Sequence, residues 1–198
     1  DVVCADLEKS CGKKLTAQEI ADRYTPCVGL IECYNTSTSL INQSPDSYAS
    51  GFFISGDGLM VTNCHAVDEA AYAVVTLQSG EQYSVEKAVY WDAGIDCAVI
   101  KVSQTALGGS GETTVFPYLE MISSDSAHVG DTVYALGNPL GLQNSITTGI
   151  ISNTKREVQD FTLPMIQNTA SISQGSSGGA LLNEYGYVIG ITSGYFSY

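Results

Sequence analysis

A nucleophile, a base and an acid are legible in three short stretches of the chain. The first is QGSSGGALL, residues 174 to 182, where three glycines enclose two serines just ahead of an apolar run. Glycine takes φ > 0 and lets a ligand approach backbone N–H groups, so such a loop can hold out a serine hydroxyl. A flexible linker is the other reading of a Gly/Ser stretch. Linkers do not usually lead straight into residues such as Ala180, Leu181 and Leu182, which have the pattern of a buried strand. A serine hydroxyl is a poor nucleophile at neutral pH and needs an adjacent base. Only two histidines are present. His128 lies in the polar SSDSAHVGD and reads as a solvated surface residue. His65 ends the strand LMVTNCH and is the candidate base.

The acid candidate is Asp96 in WDAGIDCAVIKV, where a carboxylate enters an otherwise apolar strand. Burying it costs several kcal/mol unless it is paired or hydrogen-bonded. An imidazole N–H would compensate it, and would itself gain a fixed tautomer and a stabilised cation. Asp92, in the same turn, is the rival acid, and Asp96 also fits a strand-entry residue capping that turn. The implied chemistry is acyl transfer, with Ser177 attacking, His65 taking its proton and Asp96 orienting the ring. Gly175 and Ser177 would direct backbone N–H groups at the oxyanion, each donor worth about 3 kcal/mol. Gly178 and Gly179 would keep the space behind the nucleophile clear.

These residues need a scaffold of strands. Thr16 and Glu19 form a capping box, with Leu15 and Ile20 spaced as a staple, so a short helix is expected at residues 17 to 24, ended by Thr25 and Pro26. From Cys27 the pattern changes to short β-rich runs at 27–34, 51–55, 59–63, 72–77, 83–90 and 97–102. SGDG (55–58) and QSGEQ (78–82) read as hairpin turns. Residues 103–114 lose the apolar periodicity and read as a linker. A second series follows at 131–137, 145–152, 164–170, 178–183 and 187–193. The organisation expected is therefore an N-terminal segment (1–26), a first barrel (27–102) carrying His65 and Asp96, a linker (103–114), and a second β half (115–198) carrying Ser177. The polar stretch 35–50 reads as an exposed, mobile insertion.

Bulk properties agree with one compact all-β chain. Its 198 residues are 44% hydrophobic and 15% charged, neither a disordered nor a coiled-coil composition. The formal net charge of −13 would repel nucleic acid and anionic lipid, which excludes a nucleic-acid partner. No run approaches the roughly 18 apolar residues of a membrane span, and no signal-peptide pattern opens the chain. No integral membrane segment is expected.

GFFISGDGLMVTNCHAV, IDCAVIKV, ALGNPLGLQNSITTGIIS and MIQNTASISQGSSGGALLNEYGYVIGITS together resemble, in order and spacing, the catalytic domain of the HtrA (DegP-like) trypsin-like serine proteases. The resemblance covers residues 15 to 195. It implies two six-stranded antiparallel β-barrels of chymotrypsin-like fold, with the active site between them. It also implies endopeptidase activity on protein or peptide substrates, without a cofactor. Carried over by position, it makes His65 the base, Asp96 the orienting acid and Ser177 the nucleophile, with Gly175, Ser176 and Ser177 lining the oxyanion turn. Ser176 stands where the family often has Asn. Ile172, five residues before the nucleophile, falls at the floor of the P1 pocket, with Thr192 and Ser193 beside it. An apolar floor favours small or medium aliphatic P1 residues. The chain departs from the usual QTDAAINPGNSGG at Thr169, Ser173 and Gln174, which loosens the expected oxyanion turn, and it ends at Tyr198, before the family's closing strand. Trimers are the family's habit, so a homo-oligomer is a further possibility.

Six cysteines permit 15 pairings. Cys27 and Cys33, on one strand, would sit roughly 20 Å apart, beyond disulfide reach. Cys4 and Cys11 are close enough in sequence to pair, and with no second ligand pair nearby no metal site is expected. Cys64 and Cys97 flank the proposed base and acid, either as a crosslink or as two small buried apolar residues. At least one disulfide and an extracytoplasmic location are expected. Two other functions stay open: a protease-like binding or sensor module with an inactive oxyanion turn, and a cysteine hydrolase using Cys64. Strand alternation argues against the latter, because adjacent residues point to opposite faces.

Overall fold

A computed structural model describes residues 12–109, 111–138, 145–159, 161–173 and 175–194. Cys4, Cys11 and Gln174 lie outside the described residues. The first helix, α1 (Ala17–Tyr24), begins where the capping box places it, with the Thr16 side chain accepting from Glu19 N–H and Glu19 returning the bond. Its Ile20 is fully buried, and Leu15 N–H donates to Glu184 O at 2.8 Å, so the helix is fastened to the second half of the chain.

The strands are β1 (Val28–Tyr34), β2 (Ser47–Phe53), β3 (Leu59–Thr62), β4 (Tyr72–Thr76), β5 (Gln82–Asp92), β6 (Cys97–Ala106), β7 (Thr132–Gly137), β8 (Ser145–Arg156), β9 (Met165–Asn168), β10 (Ala180–Asn183) and β11 (Val188–Ile191). The first six close into an antiparallel barrel in the order β1-β2-β3-β6-β5-β4. The other five form one sheet in the order β11-β10-β7-β8-β9. The all-β, trypsin-like expectation stands, but among the described residues the second sheet has five strands where six were expected. Its edge strands β9 and β11 line a cavity of about 290 Å³ with Met165, Ile166, Ile189 and Ile191.

Strand periodicity divides the core. In β10, Ala180 and Leu182 face a cluster shared by both halves, with Phe52, Val61, Leu119 and Leu136, whereas Leu181 packs with Val133, Ala135 and Ile151 inside the second sheet. In β2 the same alternation sends Phe52 to the shared core and Phe53 into the barrel interior, against Met60, Val75, Tyr83 and Phe116. Both faces of β10 are therefore buried, which is why its sequence is a continuous apolar run. The shared core fixes the two sheets against each other and so sets the distance across the groove between them.

Two expectations about local structure change. The stretch 35–50 is not a free insertion: it holds a short helix, α2 (Ser37–Ile41), capped by Thr36, and then the start of β2. Ala49 and Ser50 are both 0% exposed. Its polar composition reflects turn and capping residues, which look like loop in a sequence. The second change concerns His65, which does not end a strand. β3 stops at Thr62, and Cys64–Val67 form a helical turn, α3.

Candidate active site

The three proposed catalytic residues come from three separate turns that open on one groove. His65 is carried by α3, Asp96 by the turn between β5 and β6, and Ser177 by the turn that enters β10. Two of these turns use left-handed backbone: Asp96 has φ +52° and Gly175 has φ +88°. Aspartate is one of the few side chains tolerated there, at a cost of about 1–2 kcal/mol. The surrounding bonds hold it, with Asp96 O accepting from Asn63 Nδ2 at 2.8 Å.

Of the two candidate acids, Asp96 meets the imidazole and Asp92 caps the turn. The Asp92 carboxylate accepts the N–H groups of Gly94 and Ile95 at 2.9 and 3.3 Å, closing the turn. Asp96 turns inward, 7% exposed, and its Oδ2 meets His65 Nδ1 at 2.7 Å. Its Oδ1 accepts His65 N–H at 3.0 Å, and Ser193 Oγ–H donates to Oδ2 at 2.6 Å. These donors offset the desolvation of the carboxylate and hold the ring with Nδ1 as the donor nitrogen. The His65 side chain is 54% exposed, so its other nitrogen remains on the solvent side.

His65, Ser177, Ile172, Gly175, Ser193 and Gly194 line a groove of about 530 Å³, with Ser47 and Tyr48 as part of its wall. The Ser177 hydroxyl donates to Ser193 O at 3.0 Å and makes no hydrogen bond to His65. One χ1 rotation redirects a serine hydroxyl, and catalytic bonds are commonly loose before substrate binds. Ser193 thus touches both the acid and the serine, a role its sequence context did not signal.

The turn before β10 is braced from several sides. Ser176 N–H donates to Ser173 O at 2.9 Å, and Gly179 N–H to Ser176 O at 3.0 Å. Ser176 therefore has its N–H spent within the turn, leaving Gly175 and Ser177 as the groove-facing candidates; no described carbonyl takes the N–H of either. Thr192, expected in the substrate pocket, is 7% exposed and spends its hydroxyl on Ser176 O at 2.6 Å. It supports the turn and also lines a smaller cavity of about 190 Å³ beside Ile172, Ser173 and Ser176. Ile172 does line the groove.

Among the described residues Cys27, Cys33, Cys64 and Cys97 are free thiols. Cys64 and Cys97 are not crosslinked; Cys64 Sγ donates to Cys97 O at 3.1 Å. Burial pushes the thiols of Cys64 and Cys97 above their ordinary range, and that of Cys27 up to about 11. Cys64 is 3% exposed and its sulfur is bonded away from the groove, which removes the cysteine-hydrolase reading. The reason is burial in a helical turn and not strand alternation. His128 is solvated, its side chain 79% exposed.

Comparison with known proteins places this geometry. The sequence profile of the trypsin-like peptidase domain matches residues 49–191. The chain belongs to the trypsin-like peptidase family. Within that family it is 41% identical over 147 residues, 73% of this chain and 27% of the relative, to a protein of Chlamydia trachomatis named probable periplasmic serine endoprotease DegP-like. It is 35% identical over 179 residues, 88% of this chain and 35% of the relative, to serine protease HTR4 of Rattus norvegicus. It is 38% identical over 149 residues, 73% of this chain and 36% of the relative, to the putative serine protease HhoA of Synechocystis. The HtrA-like resemblance of the sequence is thereby shown. This peptidase domain spans between 27% and 36% of the length of these relatives.

Proposed function

We propose that this chain is the catalytic unit of a serine endopeptidase that hydrolyses peptide bonds of protein substrates through an acyl-enzyme. His65 and Asp96 from the first β half and Ser177 from the second form its triad. The observation that carries the reading is the His65–Asp96 pair at 2.7 Å, facing the groove that also exposes Ser177 and the glycine turn. Ser177 Oγ attacks the scissile carbonyl as His65 Nε2 takes its proton. Asp96 stabilises the imidazolium, and the N–H groups of Gly175 and Ser177 receive the oxyanion. His65 then protonates the leaving amine, and water repeats the sequence on the acyl-enzyme. Ile172 at the groove supports a preference for small or medium aliphatic P1 residues. The periplasmic naming of relatives such as that of Chlamydia trachomatis supports an extracytoplasmic site of action.

The second reading, a protease-like binding or sensor module, is favoured by one observation: the Ser177 hydroxyl rests on Ser193 O and not on His65. One experiment separates the two. A fluorophosphonate labels the chain if Ser177 is activated, and Ser177→Ala then abolishes both labelling and casein cleavage, by roughly 10⁶ in kcat. Absence of labelling in the wild type supports the binding module. Cleavage unaffected by the substitution overturns the triad.

A further inference from the structure

Ser50 is fully buried, 0% exposed, beneath the turn that carries Ser177. Each of its hydrogen-bonding groups is committed there. Its N–H donates to Ser177 O at 2.8 Å and its Oγ–H donates to Gly175 O at 2.6 Å. The same Oγ accepts Asn138 N–H at 2.7 Å, and Ser50 O accepts Thr62 Oγ–H at 2.8 Å. One hydroxyl of β2 in the first barrel thus joins the nucleophile turn to the backbone just beyond β7.

We propose that Ser50 is a positioning residue for the oxyanion turn, its hydroxyl holding the peptide between Gly175 and Ser176 in the orientation that turns the Gly175 N–H to the groove. The proposal rests on the reading of Ser177 as nucleophile. The 175–176 peptide is held at both ends, its carbonyl by Ser50 Oγ and its N–H by Ser173 O at 2.9 Å. Gly175, at φ +88°, is the residue about which the turn can most easily rotate. Such a conformation persists only where its surroundings over-determine it. Removing the hydroxyl leaves Gly175 O and Asn138 N–H unpaired in a buried site, and rotation about Gly175 relieves that cost. The rotation carries an oxyanion donor out of line. Because that donor acts on charge developing in the transition state, the loss falls on kcat and not on ground-state binding.

The test compares Ser50→Ala with Thr62→Val, which also deletes a buried hydroxyl bonded to residue 50 but leaves Gly175 O untouched. Each is assayed on a fluorogenic peptide with valine at P1, with a peptide aldehyde that forms a hemiacetal on the serine, and with the corresponding non-covalent peptide alcohol. Ser50→Ala is expected to lower kcat about 10- to 100-fold, below the ~10²–10³ of a whole donor lost, with KM within about threefold. Aldehyde affinity falls by the same factor and alcohol affinity is unchanged. Thr62→Val keeps kcat within about threefold at a comparable loss of thermal midpoint. If Ser50→Ala does not fold, Ser50→Cys, similar in size and a poor donor, carries the same expectations. Wild-type kcat in the Ser50 variant, equal losses in the two variants, or a loss confined to KM overturns the proposal. Ser177→Ala run alongside keeps the two readings apart: if it stays active the triad fails, whereas an inactive Ser177→Ala beside an unimpaired Ser50→Ala removes only the role of Ser50.

Discussion

Asp96→Asn gives a sharp test of the triad because the bonds around this carboxylate leave an amide one good arrangement. Oδ1 accepts the backbone N–H of His65 at 3.0 Å, and Oδ2 accepts His65 Nδ1–H at 2.7 Å and Ser193 Oγ–H at 2.6 Å. Asparagine offers one oxygen and one NH₂. The backbone N–H cannot become an acceptor, so the amide oxygen takes the Oδ1 position and the NH₂ faces His65 Nδ1 and Ser193 Oγ. The hydroxyl accepts after rotation, and the imidazole accepts if its proton moves to Nε2. The amide and the imidazole are then satisfied and only the Ser193 hydroxyl proton needs a new acceptor, so stability should change by about 1 kcal/mol. The ring, however, presents a proton to Ser177 where it should present a lone pair. A triad in the wrong tautomer loses roughly 10⁴ in kcat, about 5.4 kcal/mol at 1.36 kcal/mol per decade. The assay is hydrolysis of a fluorogenic peptide, with the His65 tautomer read by nitrogen NMR and the thermal midpoint as the folding control. A rate loss under tenfold, or an Nδ1–H tautomer surviving in the variant, would refute the reasoning.

Gly178→Ala should unfold the turn from behind, since at φ +87° an added Cβ lies 2.1 Å from Ser50 O and 2.3 Å from Thr62 Oγ1. The left-handed strain and the clash together predict about 3 kcal/mol or more, roughly 10 °C in thermal midpoint. Gly80→Ala, at φ +87° in open space, should show only the smaller strain effect, and equal losses at the two positions would contradict the clash. A peptide library is expected to be cut chiefly after small or medium aliphatic residues, given Ile172 at the groove. Cleavage mainly after Lys or Arg would contradict that preference.

The resting hydroxyl of Ser177 and the left-handed Gly175 lie side by side. On the proposed mechanism, substrate entering the groove draws the first toward His65 and leaves the second in place. The turn is braced by Ser50, Ser173 and Thr192, whereas the Ser177 side chain is held by a single bond, as that proposal requires. Bracing by buried bonds to backbone groups costs nothing at the moment of reaction, which is the condition for a preorganised oxyanion site.

What the sequence determined by itself is whatever depends on near neighbours along the chain. The Thr16–Glu19 capping box places α1 at its observed bounds, alternation of apolar residues locates the strands, and the glycine-bounded serines mark the turn before β10. A lone acid entering an apolar strand was enough to nominate Asp96, because a buried carboxylate demands a partner. Tertiary structure decided what depends on residues far apart in the chain. It assigned the cap to Asp92 and the imidazole to Asp96, gave Thr192 its bond to the turn, and gave Ser193 its two contacts. It also made Ser50, at the end of what reads as a polar insertion, the buried link beneath the nucleophile turn. A serine in a polar run carries no local sign of the carbonyl it will meet 125 residues later, since that contact arises only when the shared core brings the two sheets together.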